Sequence, residues 1–329
     1  MAKRPSKKSA KRPRLHHSFK RSYREDYVRE LEVPGIMAHV AASFKLIFKH
    51  WKTFLLLIIL MVLLNAILVG LMSEDTYTNF QDILDQTNES AGGGPLTTAM
   101  KAGLLLVSTM TTGGLNSNMD GAQGVFAAIL LLITWLVSMY LFRHYIAGHK
   151  VKLRDALYNA CTPLISTAAI LLLILIQLVP VFIFIILYST AVQTEFLSTP
   201  FYAFVFFIFG AVMILLSGYW LSSSVIALVA VSAPGLYPGK ALRAASDLMM
   251  SRRIKFIIRL IALLFVVIFL WAIIMIPLIM FDLWMKTFEW TAGIPFIPIC
   301  LMIMSVFTVI FASAYIYIYY RWMLDYEEK

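Results

Sequence analysis

The stretch Ala38–Phe54, AHVAASFKLIFKHWKTF, leads into a long apolar run, and Ala241–Phe256, ALRAASDLMMSRRIKF, leads into another. Both read A-x-x-A-A-S, and each places a lysine, Lys52 or Lys255, fourteen residues after its first alanine. From Ile36 the first copy has a helical period. Ile36, Val40, Phe44, Ile47, Phe48 and Trp51 share one face, with Lys45, Lys49 and Lys52 opposite. An apolar stripe backed by lysines, just ahead of a spanning run, is the pattern of an amphipathic helix lying in a membrane interface. Arg252, Arg253 and Lys255 give the second copy a similar basic edge. Lys45, Lys49, Lys52, Arg252, Arg253 and Lys255 are therefore candidate contacts for anionic lipid headgroups.

Outward from these lead-ins the chain is too apolar for water. Of its 329 residues 60% are hydrophobic and 14% charged, with a mean hydropathy of +0.80; a soluble domain carries about 25% charged residues. Six runs are long enough to cross about 30 Å of hydrocarbon: Thr53–Met72, Gly124–Phe142, Leu164–Tyr188, Tyr202–Ser232, Ile257–Met280 and Pro298–Tyr320. The fourth is overlong for one upright helix, which predicts tilt, a bend near Gly210 or Gly218, or continuation along the interface. Pro180 and Pro277 lie inside the third and fifth, where each is expected to kink its helix.

The net charge of +10 resides in one place. Ten lysines and arginines between Lys3 and Arg24, with no acid among them, account for it, and the rest of the chain is balanced. Residues 1–33 read as a disordered basic tail, 34–324 as a six-span helical membrane domain and 325–329 as a short C-terminal end. No cleavable signal is expected, because about fifty residues precede the first apolar run. Lys and Arg collect in alternate connections: before the first span, between the second and third, and between the fourth and fifth. By the positive-inside rule those connections and both termini are cytoplasmic, which suits a bacterial inner membrane. Residues 73–122 form an external loop, within which Ala102–Met119 is apolar enough for an interfacial or re-entrant segment. Cys161 and Cys300 are too few for a disulfide framework and read as free, packed thiols near opposite faces.

The repeated lead-in now has a structural meaning. A weaker copy, KLRDALYNACTPL, precedes the middle pair of spans. The chain therefore reads as three units of amphipathic helix, span, external turn and span. Small residues at Ala41, Ala42 and Ser43, and at Ala244, Ala245 and Ser246, are expected to let the interfacial helices pack closely. The lead-in PGKALRAASDLMMSRRIKF feeding paired spans resembles the membrane domain of glycerophosphoryl diester phosphodiesterases and allied families of six-span bacterial proteins. The likeness extends over most of residues 36–320 and rests on helix pattern and that one motif. In fused members a separate soluble barrel carries catalysis. This chain ends nine residues after Tyr320, so the resemblance implies a non-catalytic membrane domain and transfers no activity.

The chemistry is sparse. No H-E-x-x-H, C-x-x-C, P-loop or G-x-S-x-G signature occurs, so no cofactor, metal or enzymatic activity is expected. His144 and His149, with Asp155 nearby, read as interfacial side chains; an embedded enzyme would need them to meet Arg252 or Asp247. Polar residues inside spans mark substrate paths when they converge, which makes Gln177, Ser217, Ser222, Ser223 and Ser224 candidates for one. Otherwise such groups are interhelical hydrogen-bond glue. Arg259 and Asp282 lie near span ends, where snorkelling accounts for them. Tyr315, Tyr317, Tyr319, Tyr320 and Trp322 read as an aromatic belt. The expected function is a scaffold or accessory protein that organises membrane lipids or protein partners, with a small-molecule permease next and an embedded enzyme third. Nucleic acid and ribosomes are disfavoured, because no folded or aromatic module accompanies the tail.

Overall fold

The computed structural model describes residues 34–69, 121–194, 199–233, 235–250, 252–285 and 296–327. Among them the chain is all-helical, in nine elements: α1 (Ile36–Lys49), α2 (Trp51–Leu68), α3 (Gly121–Ile146), α4 (Leu153–Ala160), α5 (Leu164–Gln193), α6 (Pro200–Ala230), α7 (Pro238–Leu248), α8 (Arg253–Met285) and α9 (Phe296–Glu327). Six of these, α2, α3, α5, α6, α8 and α9, are long and apolar enough to cross a membrane. The protein is a multi-pass membrane protein. The proposed tail and the external loop with its Ala102–Met119 segment lie outside the described residues.

The order short helix, span, span occurs three times. Because successive spans alternate in direction, α1, α4 and α7 gather at one end of the bundle, which also carries the basic connections. Their packing is cyclic. Each short helix sits against the second span of the unit before it: α4 on α3, α7 on α6, and α1 on α9, the last span of the chain. The first spans follow the same rule, with α5 against α3, α8 against α6 and α2 against α9. Three sequence units thus close into a ring, in which α1, α2 and α3 of the first unit all pack on α9 of the last.

The ring is uneven. In the most apolar stretches of α3 and α9, 56% of residues are buried, against 6% for α5 and 11% for α6. So α3 and α9 form the protein core, and the α5–α6 hairpin turns most of its surface outward. Phe54 of α2 packs on Phe142 of α3 (5.1 Å between centroids), and Trp271 of α8 donates its indole N–H to Thr308 of α9 (2.8 Å). The α5–α6 hairpin is tight in its own way. A Cβ placed on Gly210 would collide with the edge of the Phe184 ring, so glycine there permits close approach of the two helices. Span four is one continuous helix, Pro200–Ala230, and its Gly210 serves packing. Both α5 and α8 run through their prolines without interruption.

The turn from α3 into α4 depends on Gly148, at φ 83°. Its N–H donates to Tyr145 O and the His149 N–H to His144 O, the paired bonds of a Schellman ending that favours glycine. Cys161 is exposed at the end of α4, which corrects its reading as a packed thiol.

Candidate functional site

The three short helices bury narrow seams spaced by three or four residues: His39, Ser43 and Ile47 on α1, Leu153, Ala156 and Ala160 on α4, and Ala241, Ala245 and Leu248 on α7. Small residues do line these seams, through Ser43, Ala241 and Ala245, but Ala41 and Ala244 face outward. The α1 seam differs in holding an imidazole. His39 is fully buried and stacks on Tyr315 of α9 at 3.8 Å and 14°, with the Trp322 ring 4.7 Å away.

Both ring nitrogens of His39 are committed. Nε2 donates to the Tyr315 carbonyl (2.9 Å), and Nδ1 accepts from Nη1 of Arg259 on α8 (3.0 Å). This assignment requires the neutral imidazole with its proton on Nε2. Burial holds the His39 pKa down at about 4; the Tyr315 hydrogen bond opposes it in part, and the Arg259 charge, the smallest of the three effects, adds to the lowering. Arg259 Nη2 donates to the Pro34 carbonyl (2.9 Å), fixing the start of α1, and the guanidinium lies 5.1 Å from the Tyr319 ring centroid.

Two sequence expectations are corrected here. Arg259 does not snorkel: it is 8% exposed and turned into the bundle toward α1. Nor are Tyr315, Tyr317 and Tyr319 part of a belt at the lipid boundary, since they are buried in the core; of the expected belt, Tyr320 and Trp322 are half-buried. Their alternation with Ile316 and Ile318 resembles a boundary motif, and only the neighbouring helix α1 reveals them as an interior. Asp282's side chain lies outside the described residues. His39 had no signal of its own beyond its place on the seam.

Of the six proposed lipid-contacting cations, Lys45, Lys49, Lys52 and Lys255 are exposed. Arg252 is buried, at 3% exposure, and its charge reaches Tyr319; it does not face outward. Arg253 is half-buried, stacked 3.9 Å over Tyr219 and within 3.4 Å of the Tyr219 carbonyl and the Ser246 hydroxyl. Beside Lys45 and Lys49, Met37 and Phe48 are exposed, as is Trp51 beside Lys52 at the start of α2, so the outward surface of α1 and the first turn of α2 mixes cations with large apolar groups.

The span polar residues divide. Ser217, Ser222 and Ser224 are buried, and Ser222 donates within its own helix to Tyr219 O (2.7 Å). Phe184 meets Gly210, and Tyr188 lies 6.4 Å from Phe206. That antiparallel register sets Gln177 of α5 level with Ser217 of α6. Gln177 Oε1, Ser217 Oγ and Ser223 Oγ are buried without a hydrogen-bond partner. His144 donates its Nδ1–H to the Tyr140 carbonyl (2.9 Å), and Asp155 pairs with the exposed Arg154 at 3.8 Å. Among the described residues no three His, Cys, Asp or Glu side chains gather as a metal site.

No family model, curated protein or solved structure matches the chain.

Proposed function

We propose that this protein is a non-catalytic scaffold of a bacterial inner membrane that associates with anionic lipid through its short basic helices, both termini being cytoplasmic. The observation that carries the reading is the outward surface of α1. Lys45 and Lys49 stand beside exposed Met37 and Phe48 on a helix held to the bundle by a separate seam, and exposed Trp51 and Lys52 continue this surface onto the first turn of α2. Apolar groups inserted at the headgroup boundary, with ammonium groups beside them, fit an anionic leaflet, where each cation contributes about 1 kcal/mol. The resemblance of the lead-in PGKALRAASDLMMSRRIKF and its paired spans to the membrane domain of glycerophosphoryl diester phosphodiesterases supports a lipid-associated role.

The test is native mass spectrometry of the full-length protein released from nanodiscs of equal phosphatidylglycerol and phosphatidylcholine. Enrichment of phosphatidylglycerol is expected, and it should fall at least twofold in Lys45→Ala/Lys49→Ala/Lys52→Ala. Wild-type protein that carries the two lipids in their bulk ratio would refute the reading.

One observation favours a second reading, a small-molecule permease. Gln177 and Ser217 stand level on facing helices with buried oxygens that lack partners, and unpaired polar groups inside a span mark a path if water reaches them. Single cysteines at Gln177, Ser217 and Ser223, in a Cys161→Ser/Cys300→Ser background, would react with an impermeant thiol reagent if it does. Silence at all three leaves the packed bundle of the first reading.

A further inference from the structure

At the seam where α1 packs on α9, Arg259 brings a full positive charge into a site 8% exposed. Among the described residues its partners are a neutral imidazole, the Pro34 carbonyl and the face of Tyr319, with no carboxylate. A guanidinium has five N–H donors, and these contacts occupy two. Burying a charge without an anion is costly, by several kcal/mol even after relaxation. Next to it, the hydroxyls of Tyr315 and Tyr319 are buried, each residue 1% exposed, and neither finds an acceptor. The two unpartnered phenol donors thus lie one turn apart on α9, beside the guanidinium that stands over the Tyr319 ring, and what the phenols lack is an acceptor. The neutral state of His39 sharpens this. Its one free lone pair is spent on Arg259, so the imidazole orients the cation without neutralising it.

We propose that this centre, formed by Arg259, Tyr315 and Tyr319 and oriented by His39, binds the phosphate group of a ligand at the inner edge of α1. Phosphate suits the donor set better than a halide or a carboxylate. It offers three or four acceptor oxygens, the guanidinium fork meets two of them side by side, and the remaining ones can take the phenol protons. The depth agrees with a lipid headgroup. Arg259 lies six residues into α8 from Arg253, about 9 Å along the helix axis, beneath an interfacial helix whose outer face is apolar and basic. The inference rests on the lipid-associated reading above and deepens it, from a diffuse basic surface to one stoichiometric site. Free inorganic phosphate has the same chemistry.

The experiment uses the full-length protein in a neutral detergent. Its melting temperature is recorded with added phosphatidylglycerol, phosphatidylcholine or inorganic phosphate, and bound lipid is counted by native mass spectrometry. Wild type should gain stability with phosphatidylglycerol and retain one such lipid after delipidation. Tyr315→Phe/Tyr319→Phe keeps the ring stacking and removes only the donors; it should bind roughly tenfold more weakly or worse. Arg259→Gln should abolish the gain. Lys45→Ala/Lys49→Ala/Lys52→Ala should keep the single retained lipid while losing the general enrichment. An equal gain from inorganic phosphate would assign the site to free phosphate. If the Tyr→Phe pair binds phosphatidylglycerol as wild type does, or no phosphate source alters wild-type stability, the site is overturned even where the lysine-dependent enrichment stands. Should wild type show no preference for anionic lipid at all, the lipid-associated reading falls as well. The Tyr→Phe pair decides the matter if Arg259→Gln fails to fold.

Discussion

The α1 and α7 seams begin from the same A-x-x-A-A-S pattern and end in different physics. On α7, Ala241, Ala245 and Leu248 are buried against the neighbouring hairpin. The contact is made by small apolar groups that let two helices approach closely. On α1 the inward residues, His39, Ser43 and Ile47, fall later in the motif than those of α7, and the seam is held by an imidazole clasped between a carbonyl and a guanidinium. Both occupy the same place in the ring, each against the second span of the preceding unit. Yet the α7 seam joins units adjacent in sequence, whereas α1 must find α9 across most of the chain. Directional hydrogen bonds and ring stacking give that distant closure a specificity that small-residue packing does not supply.

The comparison breaks most visibly at His39. His39→Ala would remove the stack on Tyr315 and leave the Arg259 donor and the Tyr315 carbonyl without their partner; a loss of about 3 kcal/mol is expected. Leu242, half-buried one position after Ala241 and matching His39 in the aligned motif, should cost about 1 kcal/mol as Leu242→Ala. Thermal unfolding of the two variants in one detergent measures the gap. Equal losses would mean that the clasp adds nothing beyond its bulk.

Acid should separate the seams in a second way. The His39 pKa is lowered from 6.5 to about 4 in the fold, so the unfolded chain takes up its proton first as pH falls. The stabilisation is therefore complete above about pH 6.5 and is lost progressively as pH drops towards 4. The charged and titratable groups facing it are Arg259 from α8 and Tyr315 and Tyr319 from α9, none of which titrates in that window when placed against ordinary values. Wild type should lose more stability than His39→Gln between pH 6.5 and 4. Parallel curves would show that His39 is not held neutral.

Close approach without polar groups is tested on the α5–α6 hairpin. Gly210→Ala must push the Phe184 ring aside and should cost about 2 kcal/mol. Gly218, which has nothing within 4 Å of where a Cβ would stand, should accept alanine with a small gain from reduced chain entropy. An unchanged melting temperature for Gly210→Ala would show that the two helices separate easily.

Much of this architecture was legible because hydrocarbon imposes a simple rule. Every backbone polar group must be satisfied within its own segment, so apolar runs of sufficient length are helices. Five of the six described spans start or end within a few residues of the apolar runs, and the repeat of lead-in, span, span follows the recurrence of AHVAAS in ALRAAS. The cyclic closure was not legible. Nothing in the local pattern of Ile36–Trp51 states that its inward seam is His39, Ser43 and Ile47, because an interfacial helix has two sets of neighbours, lipid and protein, and apolarity marks only one. Arg259 was misread for the same reason. A cation six residues inside a span has two remedies, reaching out to water or pairing within, and sequence spacing does not distinguish them. Tyr315 and Tyr319 likewise have boundary composition and core placement.

The smallest expected effect tests that two-sidedness directly. Ala245 is buried in the α7 seam, and its neighbour Ala244 is exposed. Ala245→Leu should overpack the contact with α6 and cost about 2 kcal/mol, whereas Ala244→Leu should stay within about 0.5 kcal/mol of wild type. Ala41 is the α1 counterpart of Ala244 and is also exposed, so Ala41→Leu belongs with the neutral pair. If Ala244→Leu or Ala41→Leu proved as damaging as Ala245→Leu in a bilayer but not in detergent, the outward small-residue face would be in contact with another molecule there. The repeated A-A pair would then encode two packing surfaces, one toward the ring and one away from it.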